Sequence, residues 1–143
     1  MTTAKKPTTW FWILGVLLVI WNAMGATAYL AQKMMTPEQM AMMPEDQRVF
    51  LEMTPPWVTA AFALAVWGGL TATILMLLRK AFAYLMFIGS LFGILVQMFY
   101  NFVIAGAYEI YGPQGLLMPI TVLLIATYSI YFTAKSKAQG VLT

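Results

Sequence analysis

The chain has 143 residues, 62% of them hydrophobic and 9% charged, with a mean hydropathy of +0.79, against roughly 45–50% apolar and roughly 25% charged residues in a soluble domain. It contains no Cys and no His, which removes thiol nucleophiles, disulfides, iron–sulfur ligation, His-ligated haem, the common zinc sites and Ser-His-Asp catalysis. The net charge of +3 is spread among apolar runs too long for a basic patch, so nucleic acid is not an expected partner and the cations report membrane topology instead.

Four apolar stretches reach the roughly 20 residues that cross a bilayer core. They run over about residues 10–32, 57–78, 82–108 and 116–134. The first follows Lys5 and Lys6, starts on the interfacial aromatics Trp10, Phe11 and Trp12, and carries Trp21 and Asn22 near the bilayer midplane. The same stretch fits a cleaved signal peptide, with Ala26-Thr27-Ala28 as the cleavage site. Continuation of the helix through Tyr29 and Leu30 favours a retained span.

Residues 33–56 form the one long connection. Thr36-Pro37-Glu38-Gln39 reads as a capping box with proline in the first turn, and Pro44-Glu45-Asp46 opens a second short helix with acids at its N-terminus. Val49, Phe50 and Met53 give that helix an apolar side that suits the interface or a cap on the bundle. Methionines at 34, 35, 40, 42, 43 and 53 are soft enough to handle Cu(I), the minor alternative to their use as adaptable apolar residues.

The second span begins at the interfacial Trp57 and carries Trp67 near its middle beside Gly68-Gly69. An indole at that depth needs a protein partner for its N–H, so Trp21 and Trp67 are both expected to face inward. Arg79-Lys80-Ala81 makes a tight turn into the third span, where Gly89 and Gly93 offer a close-packing or homodimer surface. Gly112-Pro113-Gln114-Gly115 turns the chain into the fourth.

The basic residues Lys5, Lys6, Arg79, Lys80, Lys135 and Lys137 fall on one side, and every acid falls on the other. The expected fold is an all-α membrane protein, a single domain of four antiparallel transmembrane helices with both termini cytoplasmic. No Arg lies within a span, which excludes a voltage sensor, and no carboxylate lies mid-span, which disfavours proton-driven export. The small multidrug transporters share this size and helix number but rely on a glutamate in their first helix.

Helices one and three share the pattern aromatic-Asn-x5-Ala-Tyr, at Trp21-Asn22…Ala28-Tyr29 and Tyr100-Asn101…Ala107-Tyr108, as an internal duplication would leave it. Seven residues return to nearly the same helix face, so Asn22 with Tyr29, and Gln97 with Asn101 and Tyr108, define a polar seam within the membrane. Such amides must turn inward, either as an interhelical clamp or as a solute site. Trp21, Trp67 and Tyr100 supply planar apolar faces for the latter.

Lys5-Lys6-Pro7-Thr8-Thr9-Trp10, Trp21-Asn22, Thr54-Pro55-Pro56-Trp57, Val96-Gln97-Met98-Phe99-Tyr100-Asn101 and Tyr111-Gly112-Pro113 together resemble a family of short bacterial four-helix membrane proteins commonly labelled sugar transporters. The resemblance spans nearly the whole chain and implies a bacterial inner-membrane protein that handles a sugar. It does not extend to the bacterial three-helix sugar transporters, because Pro113-Gln114 lies in a turn rather than in a helix.

The residues and the resemblance together lead to the expectation of a non-enzymatic protein that binds or transports a small polar solute such as a sugar. The site is expected at Asn22, Gln97, Asn101, Trp21, Trp67, Tyr100, Tyr29 and Tyr108, with no metal and no cofactor. The alternative is an accessory or scaffold subunit of a larger membrane complex, and a homodimer is the simplest way for so small a bundle to enclose a path. Because the chain has no Cys, topology is directly testable. In spheroplasts an impermeant maleimide should label Met42→Cys and should label Lys137→Cys only after permeabilisation; the reverse pattern would invert the assigned orientation.

Overall fold

The computed structural model describes residues 4–143. Helix α1 (Thr9–Lys33) is capped by Thr8, whose Oγ1 accepts from the Phe11 N–H at 3.3 Å. Two short helices follow, α2 (Pro37–Ala41) and α3 (Glu45–Glu52), then α4 (Pro56–Leu77). Next come α5 (Ala83–Phe99), a π-helical turn (Tyr100–Ile104), α6 (Ala107–Tyr111), a 3-10 turn (Pro113–Leu116) and α7 (Leu117–Ala138). Helices α1 and α4, α5 with its π turn, and α7 with the turn before it are each long and apolar enough to cross a bilayer. The expected four-span, all-helical architecture is therefore present, and the capping box forms as its residues predict, with Thr36 and Gln39 bonded reciprocally.

The third span departs from the expectation that it runs to Tyr108. The Ala105 N–H reaches back to the Tyr100 carbonyl at 2.8 Å, an i→i+5 bond, and Gly106 then takes a left-handed conformation with φ +67°. A side chain disfavours that backbone geometry and glycine does not, so the helix ends there and α6 starts in a new direction. The seven-residue relation between Asn101 and Tyr108 is broken at Gly106. In α1 the helix runs unbroken through Tyr29, so the two copies of the shared pattern diverge after their Asn.

The helices pack in chain order, α1 on α4, α4 on α5 and α5 on α7, with α4–α5 the most extensive interface. Lipid is as apolar as leucine, so close approach of backbones replaces the hydrophobic effect as the source of attraction. Gly93 makes that approach possible. A Cβ at this position would lie 2.6 Å from the Ala61 carbonyl oxygen and 2.9 Å from the Ala65 nitrogen. One turn earlier the buried Ser90 hydroxyl donates to the Ala65 carbonyl at 2.6 Å. Gly89, by contrast, faces open space.

Helices α1 and α7 share no comparable interface. They meet at the end of the bundle that carries both chain ends, where Trp10 Nε1 donates to the Tyr128 hydroxyl at 3.3 Å and Phe11 lies 6.0 Å from Phe132. Phe11, Leu14, Leu18, Ala72, Met76, Ala83 and Phe87 form an apolar plug there, joined by Val141 and Leu142. Arg79 ties the plug together. Its guanidinium donates to the carbonyls of Val141 (3.0 Å) and Lys5 (2.8 Å), and its own carbonyl accepts from Thr143 N at 2.9 Å. It does so with φ +60°, a strained conformation for a residue with a side chain, held by these three bonds.

The glycine geometry yields a paired expectation. Gly93→Ala should destabilise the bundle by about 1–3 kcal/mol through overpacking. Gly89→Ala should be neutral or gain up to about 1 kcal/mol of helix propensity. Denaturation in detergent followed by circular dichroism measures both, and equal effects at the two sites would refute the α4–α5 contact.

Candidate functional site

Between the four spans lies a cavity of about 430 Å³, within the size range of small-molecule sites. Trp21, Asn22, Met24 and Gly25 line it from α1, Ala65 and Gly69 from α4, Ser90, Ile94 and Gln97 from α5, Asn101 from the π turn, and Met118, Pro119, Ile125 and Ser129 from α7. Phe87 belongs both to this lining and to the plug, and the lining residue Ile125 packs against it, so the plug closes the cavity toward the chain ends. A second cavity of about 310 Å³ lies toward the loop and is lined by Phe50, Leu51, Thr54 and Tyr111. The two share Phe62, Gln97, Asn101, Phe102 and Pro119, so Gln97 and Asn101 stand where they adjoin.

The polar seam divides into two functions. Asn22 is a clamp: its Nδ2 donates to the Leu18 carbonyl at 2.8 Å and to Thr73 Oγ1 at 3.2 Å, and Thr73 in turn donates to the Gly69 carbonyl at 2.9 Å. Thr73 is wholly buried between α1 and α4, and Gly69 leaves room for the Asn22 Oδ1 where a Cβ would collide with it. Ser90 and Ser129 likewise commit their hydroxyls to helix carbonyls, those of Ala65 and Ile125. Gln97 and Asn101 differ. Neither side-chain amide bonds to another group among the described residues, both are half-buried, and both open onto the two cavities.

The remaining expected site residues lie elsewhere. Tyr100 is buried, and its hydroxyl donates to the Met53 carbonyl at 3.2 Å while its ring meets Trp57 edge-on at 5.5 Å. It fastens the end of the loop across the bundle instead of lining the cavity. Trp67 does not face inward as expected, being 39% exposed. Its neighbours Gly68 and Gly69 occupy the helix faces that meet α5 at Ser90 and α1 at Asn22, which leaves Trp67 on the surface against Tyr29. Tyr29 packs edge-on against Phe62 at 5.3 Å and so supports a cavity wall from behind. Tyr108, carried on α6 beyond the helix break at Gly106, is half exposed and lines neither cavity.

Three lining residues carried no signal in the sequence. Phe62, Phe102 and Pro119 read as ordinary apolar or helix-start residues, and only the packing of three different helices brings them together. No carboxylate, Lys or Arg lines either cavity among the described residues. The arrangement therefore offers apolar contact and neutral hydrogen bonding, and no general acid–base pair. Met34, Met42 and Met53 of the loop are strongly exposed.

Over the second cavity, Phe50 of α3 meets Tyr111 edge-on at 5.8 Å. Burial raises the Tyr111 phenol above its ordinary pKa of 10.0, and the Asp46 carboxylate raises it further. Comparison with protein-family models, curated proteins and solved structures gives no match. Fold and geometry define this chain as a multi-pass, all-helical protein built to span a membrane.

The Tyr111 environment sets a pH dependence with a definite sign. A phenol held protonated in the fold favours the folded state below pH 10, and that contribution is lost as pH rises from 10 through the raised folded value. Asp46→Asn should move the tyrosinate absorbance transition of Tyr111 to lower pH, as judged against Tyr111→Phe. An unchanged transition would place Asp46 out of electrostatic reach.

Proposed function

We propose that this protein binds a small molecule in the cavity between its four spans, with the side-chain amides of Gln97 and Asn101 as the recognition pair. The observation that carries the reading is the contrast within the polar seam. Asn22, Ser90 and Ser129 have spent their polar hydrogens on helix carbonyls or on Thr73, whereas Gln97 and Asn101 have not. An amide offers both donors and an acceptor, and at membrane depth an unfilled one is costly. A ligand, or water held for it, supplies the missing partners.

This site also grades the sugar reading that the resemblance implies. A sugar brings several hydroxyls to a cavity where Asn22, Ser90 and Ser129 have already spent their polar hydrogens, and each hydroxyl left unpaired costs about 1–3 kcal/mol. A solute with fewer hydrogen-bonding groups matches the two open amides better. Carriage across the membrane and membership of a larger complex go beyond binding; α7, which packs mainly on α5 among the other spans and is the least buried of the four, is the face that a partner subunit would take.

Thermal unfolding in mild detergent, with and without a panel of sugars, polyols, small amides and alcohols, tests the reading. A ligand at 100 times its Kd should add about 2.7 kcal/mol of apparent stability, and Gln97→Ala or Asn101→Ala should abolish the gain. Asn22→Ala should instead lower the unliganded stability by up to about 1.7 kcal/mol, the largest value seen for such interhelical bonds. A gain that survives both alanine substitutions at the pair, or no gain across the panel, refutes the site.

A further inference from the structure

We infer that the ligand of this cavity is a neutral amphiphile dissolved in the bilayer, and that it reaches the cavity sideways, through the gap between α1 and α7. The inference rests on the binding role proposed for Gln97 and Asn101 and adds the class of ligand and its route.

The gap comes first. Helices α1 and α7 both contribute to the cavity wall, yet they share no extensive interface, and the contacts that join them among the described residues, Trp10 with Tyr128 and Phe11 with Phe132, lie at the plugged end. Farther along, the wall includes Met24 on α1 and Met118 on α7, and these residues are 61% and 62% exposed. Both lie within stretches that are long and apolar enough to span the membrane. A residue that lines the cavity and is also largely exposed at membrane depth marks an opening toward lipid. Methionine suits such an opening, because an unbranched thioether side chain changes rotamer at little cost.

Chemistry then limits the ligand. Among the described residues no charged side chain lines the cavity, so an ionised group there would be desolvated without compensation. Most of the wall is apolar: Trp21, Phe62, Phe87, Ile94, Val122 and Ile125. The two open amides lie at one end, where the second cavity begins, and the apolar depth lies at the other, against the plug. This polarity gradient fits a molecule with one compact hydrogen-bonding head, a hydroxyl or carbonyl, and a hydrocarbon body. Such a molecule concentrates in the bilayer, so the side gap is its natural way in, whereas a sugar would come from water through the loop-end cavity.

Trp21 lines the cavity and reports occupancy. A variant with Trp10, Trp12, Trp57 and Trp67 changed to Phe leaves it as the only indole, and bromooctanol added to neutral phosphatidylcholine vesicles serves as a membrane-dissolved quencher. Saturable quenching is expected, at least tenfold weaker with the bromoalkyl trimethylammonium analogue, and lost when Gln97→Met and Asn101→Leu are combined. Circular dichroism melting of each variant confirms that it is folded; should the single-indole chain fail to fold, the same titration follows the stabilisation of the wild-type chain by octanol in vesicles. Quenching that rises without saturation and ignores the amide substitutions would mean that Trp21 only senses lipid, and would overturn the inference. Stabilisation by sugars or polyols that depends on Gln97 and Asn101, without saturable quenching by bromooctanol, would retain the binding site and refute both ligand class and route. Failure of every probe would overturn both.

Discussion

An apolar helix face in a bilayer gains little by leaving lipid for another helix, so a bundle of this composition depends on how closely its backbones approach and on where its few polar groups find partners. Here both demands meet on α4. Gly93 brings α5 to within van der Waals distance of the Ala61 and Ala65 backbone, and Ser90 adds a hydrogen bond to the Ala65 carbonyl. On its other face Gly69 accepts the Asn22 amide, which bonds Thr73. With α4 held on both sides, α1, α4 and α5 form a fixed wall. Helix α7 is attached to that wall mainly through α5, and α1 touches it at the plugged end through Trp10 with Tyr128 and Phe11 with Phe132.

The cavity is a consequence of this asymmetry. Three helices drawn together by small residues leave the fourth farther out, where its Ser129 and Thr133 hydroxyls bond their own helix carbonyls instead of a neighbour. The space closes only at the end where the chain's own segments fill it, with Val141 and Leu142 buried in the plug and Arg79 binding the strands of chain that converge there. At the loop end, Tyr100 and Tyr111 hold α3 and its following turn above the second cavity through a hydrogen bond to Met53 and an edge contact with Phe50. A floor, a wall and a cap thus surround two amides that the fold itself leaves without partners.

The π turn at Tyr100–Ile104 connects these parts. Its wide i→i+5 geometry is tolerated where the surrounding packing over-determines it, and such turns recur at functional sites. Here it carries Asn101 on the cavity while Tyr100, one residue earlier, is buried against Trp57 and the loop. The adjoining αL glycine, Gly106, ends the span and turns α6 under α3. One local irregularity therefore sets the site residue, the fastening of the cap and the end of the helix.

Sequence alone determined the four spans, the capping box before α2, and the inward turn of Asn22, Gln97 and Asn101, because length, hydropathy and the cost of an amide in hydrocarbon act on each helix by itself. It did not separate the clamp from the site. Whether an amide's hydrogens are taken up depends on Thr73 standing opposite Asn22 and on no described residue bonding the side chains of Gln97 and Asn101, which is a fact about neighbouring helices. Trp67 and Tyr108 were misplaced for the same reason. Periodicity gives the angle of a residue around its own axis, but the close contacts at Gly68 and Gly69 choose which angles face protein, and the left-handed Gly106 ends the period altogether. Only the tertiary structure decided those, because the packing of small residues and the direction of a broken helix are set between segments and not within them.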